Sequence, residues 1–253
     1  MDKQSCIVDF ATRSFRDVAD RDYICARACY RLDLDQQFLW AAQQAIEKYL
    51  KGILLFNNKE TKKYGHSLKK ARDALAIIGD ISFEIPPEVD KFIEYLDDQG
   101  NNRYFTAPFH KDGHAIFRLD QTVWCLRRYC QNLRLKTGLQ QQLKVIHSAE
   151  FVSAPNKLRI WSGDLEKLID GKSNRARQDL LWCNQYFGKR RNLSKPKTVR
   201  SSSGWPTHSC SPECFLMLRD LVKFETDVIK HFDQFQCSPS ATPAPAASQK
   251  SPA

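Results

Sequence analysis

Phe38 to His66 constrains the fold of this 253-residue chain more than any other stretch. Its apolar residues Phe38, Leu39, Ala42, Ile46, Tyr49, Leu50, Ile53 and Leu54 recur at the i, i+3, i+4, i+7 spacing of a helix buried along one face. Gln43, Gln44, Glu47, Lys48 and Lys51 take the other side. Asn57-Asn58 and Gly65 end the pattern, and Ser67 is placed to cap a new helix. The spacing predicts a long amphipathic helix over 35–56.

Four further segments before residue 137 share that period, with helices expected over 12–32, 67–78, 86–100 and 115–135. Pro86-Pro87 suits a first turn. The first helix is rich in Arg and Asp on its polar side. The last buries Leu119, Val123, Leu126, Cys130 and Leu133 and presents Arg118, Arg127, Arg128 and Arg134 opposite them. No convincing strand interrupts the series, so 1–137 reads as an all-α, up-and-down helical bundle. After Gly138 the character changes. Residues 157–161 (KLRIW) alternate like a short strand, Gly163-Asp164 leads into a helix with Leu165, Leu168 and Ile169, and a further helix is expected over 175–187, stopped by Gly188. A basic loop comes next, then a last helix from Pro212. Residues 138–236 are therefore expected to form a smaller, mixed but mainly helical C-terminal extension. Residues 237–253, built largely from Ser, Ala and Pro, read as a disordered tail.

A hydrophobic content of 42% is enough for a packed core, and the net charge of +10 favours acidic partners such as nucleic acid or nucleotide. No run of about 18 apolar residues suggests a membrane span, and the N-terminal MDKQSCIVDF lacks a signal-like apolar region, so a cytoplasmic protein is expected. The nine cysteines are then expected as reduced thiols, with Cys25 and Cys29 as small core residues. His208, Cys210 and Cys214 cluster, but a fourth ligand at zinc spacing is missing, so neither metal nor cofactor is expected.

The string around the 35–56 helix is similar to the central helix of the HEPN family (higher eukaryotes and prokaryotes nucleotide-binding domains). There an Ala-x-x-Ala-x-Glu-Lys-x-Leu-Lys helix runs into a Gly-His-x-Leu turn. Here those residues are Ala42, Ala45, Glu47, Lys48, Leu50 and Lys51, then Gly65, His66 and Leu68. Asn101-Asn102-Arg103-Tyr104 resembles the family's Arg-Tyr-Pro variants. Leu119, Asp120, Trp124, Arg127, Arg128 and Tyr129 resemble a helix of a bacterial subgroup, and Trp182–Arg191 a C-terminal extension found in some such proteins.

The resemblance implies a homodimeric nucleotide- or RNA-binding module, in a bacterial defence or toxin–antitoxin-like setting. Catalytic members are metal-independent ribonucleases with an Arg-x4–6-His motif, in which His acts as acid or base and Arg stabilises charge on the phosphate. Arg103 and His110 fit that spacing here. Pro108 lies between them, however, and Tyr104 stands where catalytic members carry a small polar residue. Binding is therefore the expected role and RNA cleavage the alternative. A third reading is an interaction subunit of a nucleotidyltransferase.

Two readings compete for the polar residues. Lys51, His66, Arg103 and Tyr104 could line one mouth that holds a phosphate. Alternatively, Arg103 ties its loop to Glu47 or Asp97, and His66 satisfies free backbone donors at the next helix. Lys189, Arg190 and Arg191, in the basic loop, are candidates for salt-sensitive contacts to nucleic-acid phosphates. Phe38, Trp40, Phe105 and Phe109, near element ends, predict an apolar patch that a twin subunit covers.

Overall fold

The computed structural model describes residues 2–79, 81–99, 102, 109–131, 143, 147, 163–187, 201–204, 217–218, 229–230 and 233. The chain divides into two compact units, Met1–Tyr104 with Phe109–Ser203, and Phe105–Pro108 with Gly204–Ala253. The second holds few described residues; His66, His110 and the helices around them belong to the first. Arg103, Tyr104, Phe105, Lys189, Arg190, Arg191, the 157–161 segment, the His208, Cys210 and Cys214 cluster and the tail lie outside the described residues.

Helix α1 (Lys3–Phe10) opens on Asp2, whose carboxylate accepts from the Ser5 amide at 2.7 Å. A π-helical stretch, Ala11–Arg16, carries it into α2 (Asp17–Arg31). The helical region thus begins well before the expected residue 12. Helix α3 spans Asp35–Phe56, the span predicted by its stripe. The expected 67–78 helix is α4 (Leu68–Asp73) followed by a 3-10 turn at Ala74–Ile77. Then come α5 (Pro87–Gln99), the short strand β1 (Phe109–Lys111) and α6 (Ala115–Arg127). Helices α7 (Asp164–Asp170) and α8 (Arg175–Leu181) precede β2 (Ser202–Gly204), which pairs with β1. The strand pair was not expected from the sequence. Helix α8 also stops short of its predicted end, because Trp182 is extended and Cys183 has φ +51°.

The fold is a helical bundle with α3 at its centre, packed against α2, α4, α5 and α6. Phe38, Ile46, Tyr49, Leu50, Ile53 and Leu54 of α3 are fully buried, against Leu68 of α4, Phe92, Ile93 and Leu96 of α5, and Leu119 and Val123 of α6. Each large side chain removed from water in this way contributes about 1.5–3 kcal/mol. Phe38 therefore belongs to the core and not to an exposed patch, whereas Trp40 is 43% exposed. Cys25 is exposed and so is not a core residue, whereas Cys29 is half-buried and packs against the core.

The polar faces depart most from expectation. Asp20 and Arg27 of α2 and Asp120, Arg127 and Arg128 at α6 are buried. The expected outward arginines at 127 and 128 are inside because carboxylates and carbonyls from distant segments meet them. Arg127 donates Nε and Nη2 to the two carboxylate oxygens of Asp20 (2.8 and 2.9 Å) and Nη1 and Nη2 to those of Glu166 (2.6 and 2.7 Å). Tyr49 completes this cluster by donating to Asp20 at 2.6 Å. In a second cluster, Tyr23 donates to Asp120 Oδ1 at 2.6 Å and Arg27 donates to the same oxygen. Arg27 reaches onward to the carbonyls of Asp179 and Trp182, and Asn184 donates to the Tyr23 hydroxyl at 2.8 Å. Burial first, and then the adjoining carboxylate, push both tyrosine phenols well above their usual range, so they remain donors. These two clusters fasten residues 163–187 to α2 and α6.

Candidate functional site

Gln43, Glu47 and Lys51 stand four residues apart on α3 and form one polar row along it. All three grip the turn at Gly65-His66. Gln43 Nε2 donates to the His66 carbonyl at 3.2 Å, and Lys51 Nζ donates to the Gly65 carbonyl. Glu47 accepts from Lys51 at 2.7 Å and approaches His66 Nδ1 with both oxygens at 3.2 Å. The turn closes with the Ser67 amide on the Tyr64 carbonyl (3.2 Å), and Gly65 sits at φ +54°, ψ −127°. That conformation strains any residue with a Cβ, which gives the glycine of the Gly-His pair a definite task.

The Glu47 side chain is only 7% exposed, whereas that of His66 is 67% exposed. A carboxylate at Nδ1 accepts only, so Nδ1 carries a hydrogen there and Nε2 is the ring's remaining polar position. The expected capping role for His66 falls to other residues. Ser67 caps α4 by accepting from the Lys70 amide, and Asp97 of α5 accepts from the Leu68 amide (2.6 Å), the Lys69 amide (3.3 Å) and the Ser67 hydroxyl (3.1 Å). His66 is thereby held in place by its backbone and by Glu47.

Around this turn lie lysines that the sequence pattern alone did not single out. Lys62, Lys63, Lys69 and Lys70 are all exposed, and none forms an ion pair among the described residues. Lys63 Nζ lies 5.2 Å from the centre of the Tyr64 ring. Glu60 is the sole acidic residue between Lys59 and Lys70. The run of five lysines in twelve residues was the signal that could have found this rim.

His110 lies in strand β1, held through its backbone. Tyr95 donates to its carbonyl at 2.7 Å, and its amide donates to Gln99 Oε1 at 2.9 Å. Tyr95 and Gln99 share one face of α5 and Asp97 the opposite one, so the His110 strand and the His66 turn are fastened to different sides of that helix. Of the candidate residues, Lys51 and His66 are brought together, His110 is placed apart on β1, and Arg103 and Tyr104 lie outside the described residues. Among the described residues there is no group of three or more His, Cys, Asp or Glu placed to hold a metal ion. No described helix is long and apolar enough to cross a membrane.

The HEPN domain family model matches residues 12–116, from the π-helical stretch to the start of α6, and this part of the chain is a HEPN domain. No curated protein and no solved structure gives a significant match.

Proposed function

We propose, starting from the HEPN domain at residues 12–116, that the chain binds RNA through its phosphates at the lysine rim around the Gly65-His66 turn. The observation that carries this reading is the contrast within the site. Glu47, Gln43 and Lys51 are spent on holding the turn, while Lys62, Lys63, Lys69 and Lys70 project into solvent without ion-pair partners among the described residues. Unpaired lysines on a fixed turn neutralise phosphates and release counterions, which gives sequence-tolerant, salt-sensitive affinity. His66 Nε2 supplies a further hydrogen-bonding group at the same place. HEPN domains are associated with RNA binding or cleavage in defence and toxin–antitoxin systems, and we place the chain in such a setting. A second copy is the partner we propose. Leu32, Leu34 and Trp40, each more than two-fifths exposed where α2 turns into α3, give it an apolar surface to cover.

The test is titration of single-stranded RNA at several salt concentrations, with and without Lys62, Lys63, Lys69 and Lys70 changed to Gln. Binding that falls with salt and with these substitutions supports the reading. Binding unaffected by the four changes removes it. Metal-independent cleavage lost in Arg103→Ala and His110→Ala would replace binding by catalysis. Light scattering near twice 29.2 kDa supports the twin, and a monomer at tens of micromolar excludes it.

A further inference from the structure

A cavity of about 450 Å³ opens between α6, the segment leading into α5, and the turn after α8. It shares no residue with the lysine rim. Gln121, Trp124, Cys125 and Arg128 line it from one face of the α6 region, Phe83 and Ile85 from the second wall, and Tyr186 from the third. Its size is that of a small-molecule site.

The chemistry of the lining narrows the ligand. Arg128 donates Nε to the Cys125 carbonyl (3.0 Å) and Nη2 to the Glu84 carbonyl (2.9 Å), stapling two walls together. Glu84 is paired with His147 at 3.1 Å. One cation and one anion, both engaged, give no reason for a phosphate to enter. Burial pushes the Cys125 thiol up, so it is a poor nucleophile. What remains is a largely aromatic enclosure with two polar groups that bond nothing among the described residues, the Gln121 amide and the Tyr186 hydroxyl. Burial raises the Tyr186 phenol as well, keeping it a donor. A neutral, planar ring with a donor–acceptor edge fits such a lining. A Gln amide pairs with adenine N6–H and N7 in this way, and aromatic walls stack on any base.

We propose that this cavity binds an adenine base, with Gln121 reading its edge and Tyr186 and Trp124 supplying ring surface. The base could belong to a free nucleoside or to an unstacked position in RNA. Calorimetric titration of the full chain with adenosine, short oligoadenylate and indole tests this, using wild type, Gln121→Leu and Tyr186→Phe. Gln121→Leu should weaken the adenine ligand about tenfold, the discrimination expected of one bidentate contact, with melting temperature and indole binding unchanged. A response with adenosine assigns a free nucleoside, and a response with oligoadenylate alone assigns a base within RNA. If neither ligand weakens in Gln121→Leu, or if indole binds the wild type as tightly as adenosine, the proposal is overturned. The four lysine-to-glutamine changes at the rim should leave adenosine binding intact, so this site and the phosphate rim fail or stand separately.

Discussion

Two regions of this molecule use cationic side chains to opposite ends. At the junction of α2, α6 and α7, Arg127 is 2% exposed and all of its donors face Asp20 and Glu166. At the Gly65-His66 turn, Lys62, Lys63, Lys69 and Lys70 stand in solvent with no ion pair among the described residues. Charges withdrawn from water must be paired and hydrogen-bonded, and they then hold the chain together. Charges left in water contribute little to stability but keep their attraction for an incoming anion. The difference separates the residues that build this protein from those offered to a partner.

The sharpest way to break the comparison is Arg127→Ala. It strands Asp20 and Glu166 and should destabilise by about 3–5 kcal/mol, the usual cost of leaving a buried charge unpaired. Urea unfolding measures it, and a loss below about 1 kcal/mol would mean that the cluster is solvated after all. Changing the four rim lysines to Gln should do the reverse. Stability should stay within about 0.5 kcal/mol, while the slope of log affinity for single-stranded RNA against log salt shrinks by about 3 units if all four meet phosphates.

Gly65→Ala lies between these extremes. Forcing a Cβ into the φ +54° conformation should cost about 1–3 kcal/mol. Because it loosens the turn that carries His66, it should also weaken RNA binding without removing any charge. His66→Ala, by contrast, should leave unfolding nearly unchanged and weaken binding only modestly.

The smallest effect concerns pH. Burial lowers the His147 imidazole below its ordinary 6.5, against the pull of Glu84. The unfolded chain then takes up this proton more readily than the folded one. The associated stability is present above the ordinary value and is lost as pH falls through the folded one. A shallow decline in melting temperature below neutrality, flattened in His147→Gln, is expected.

How much of the molecule is legible in its sequence obeys the same division. Helix α3 was readable to its ends because burial along one face imposes the period on the apolar residues. The Ser67 cap was readable because capping is local. The buried Arg27, Asp120 and Arg127 were not, since a helical wheel assigns polar residues to solvent and their partners lie far away in sequence. At the site, Lys51 and His66 stand together, and Glu47 is the link between them that the pattern did not give. Gln43 was missed, although its spacing from Glu47 and Lys51 repeats every four residues. The break after Leu181 had no signal, because Cys183 is not a residue type that favours a left-handed conformation.

The fastening of residues 163–187 also sets an order of events in time. Arg27 meets the Asp179 carbonyl across 152 residues and the Trp182 carbonyl across 155, whereas Lys51 finds Glu47 one helical turn away. Contacts of such long span close slowly and late. During synthesis, α2 and α3 can pair as soon as both have left the ribosome, but Asp20, Arg27 and Arg127 stay hydrated until α7 and α8 arrive. The drying of two charged seams therefore comes after the pairing of α2 with α3.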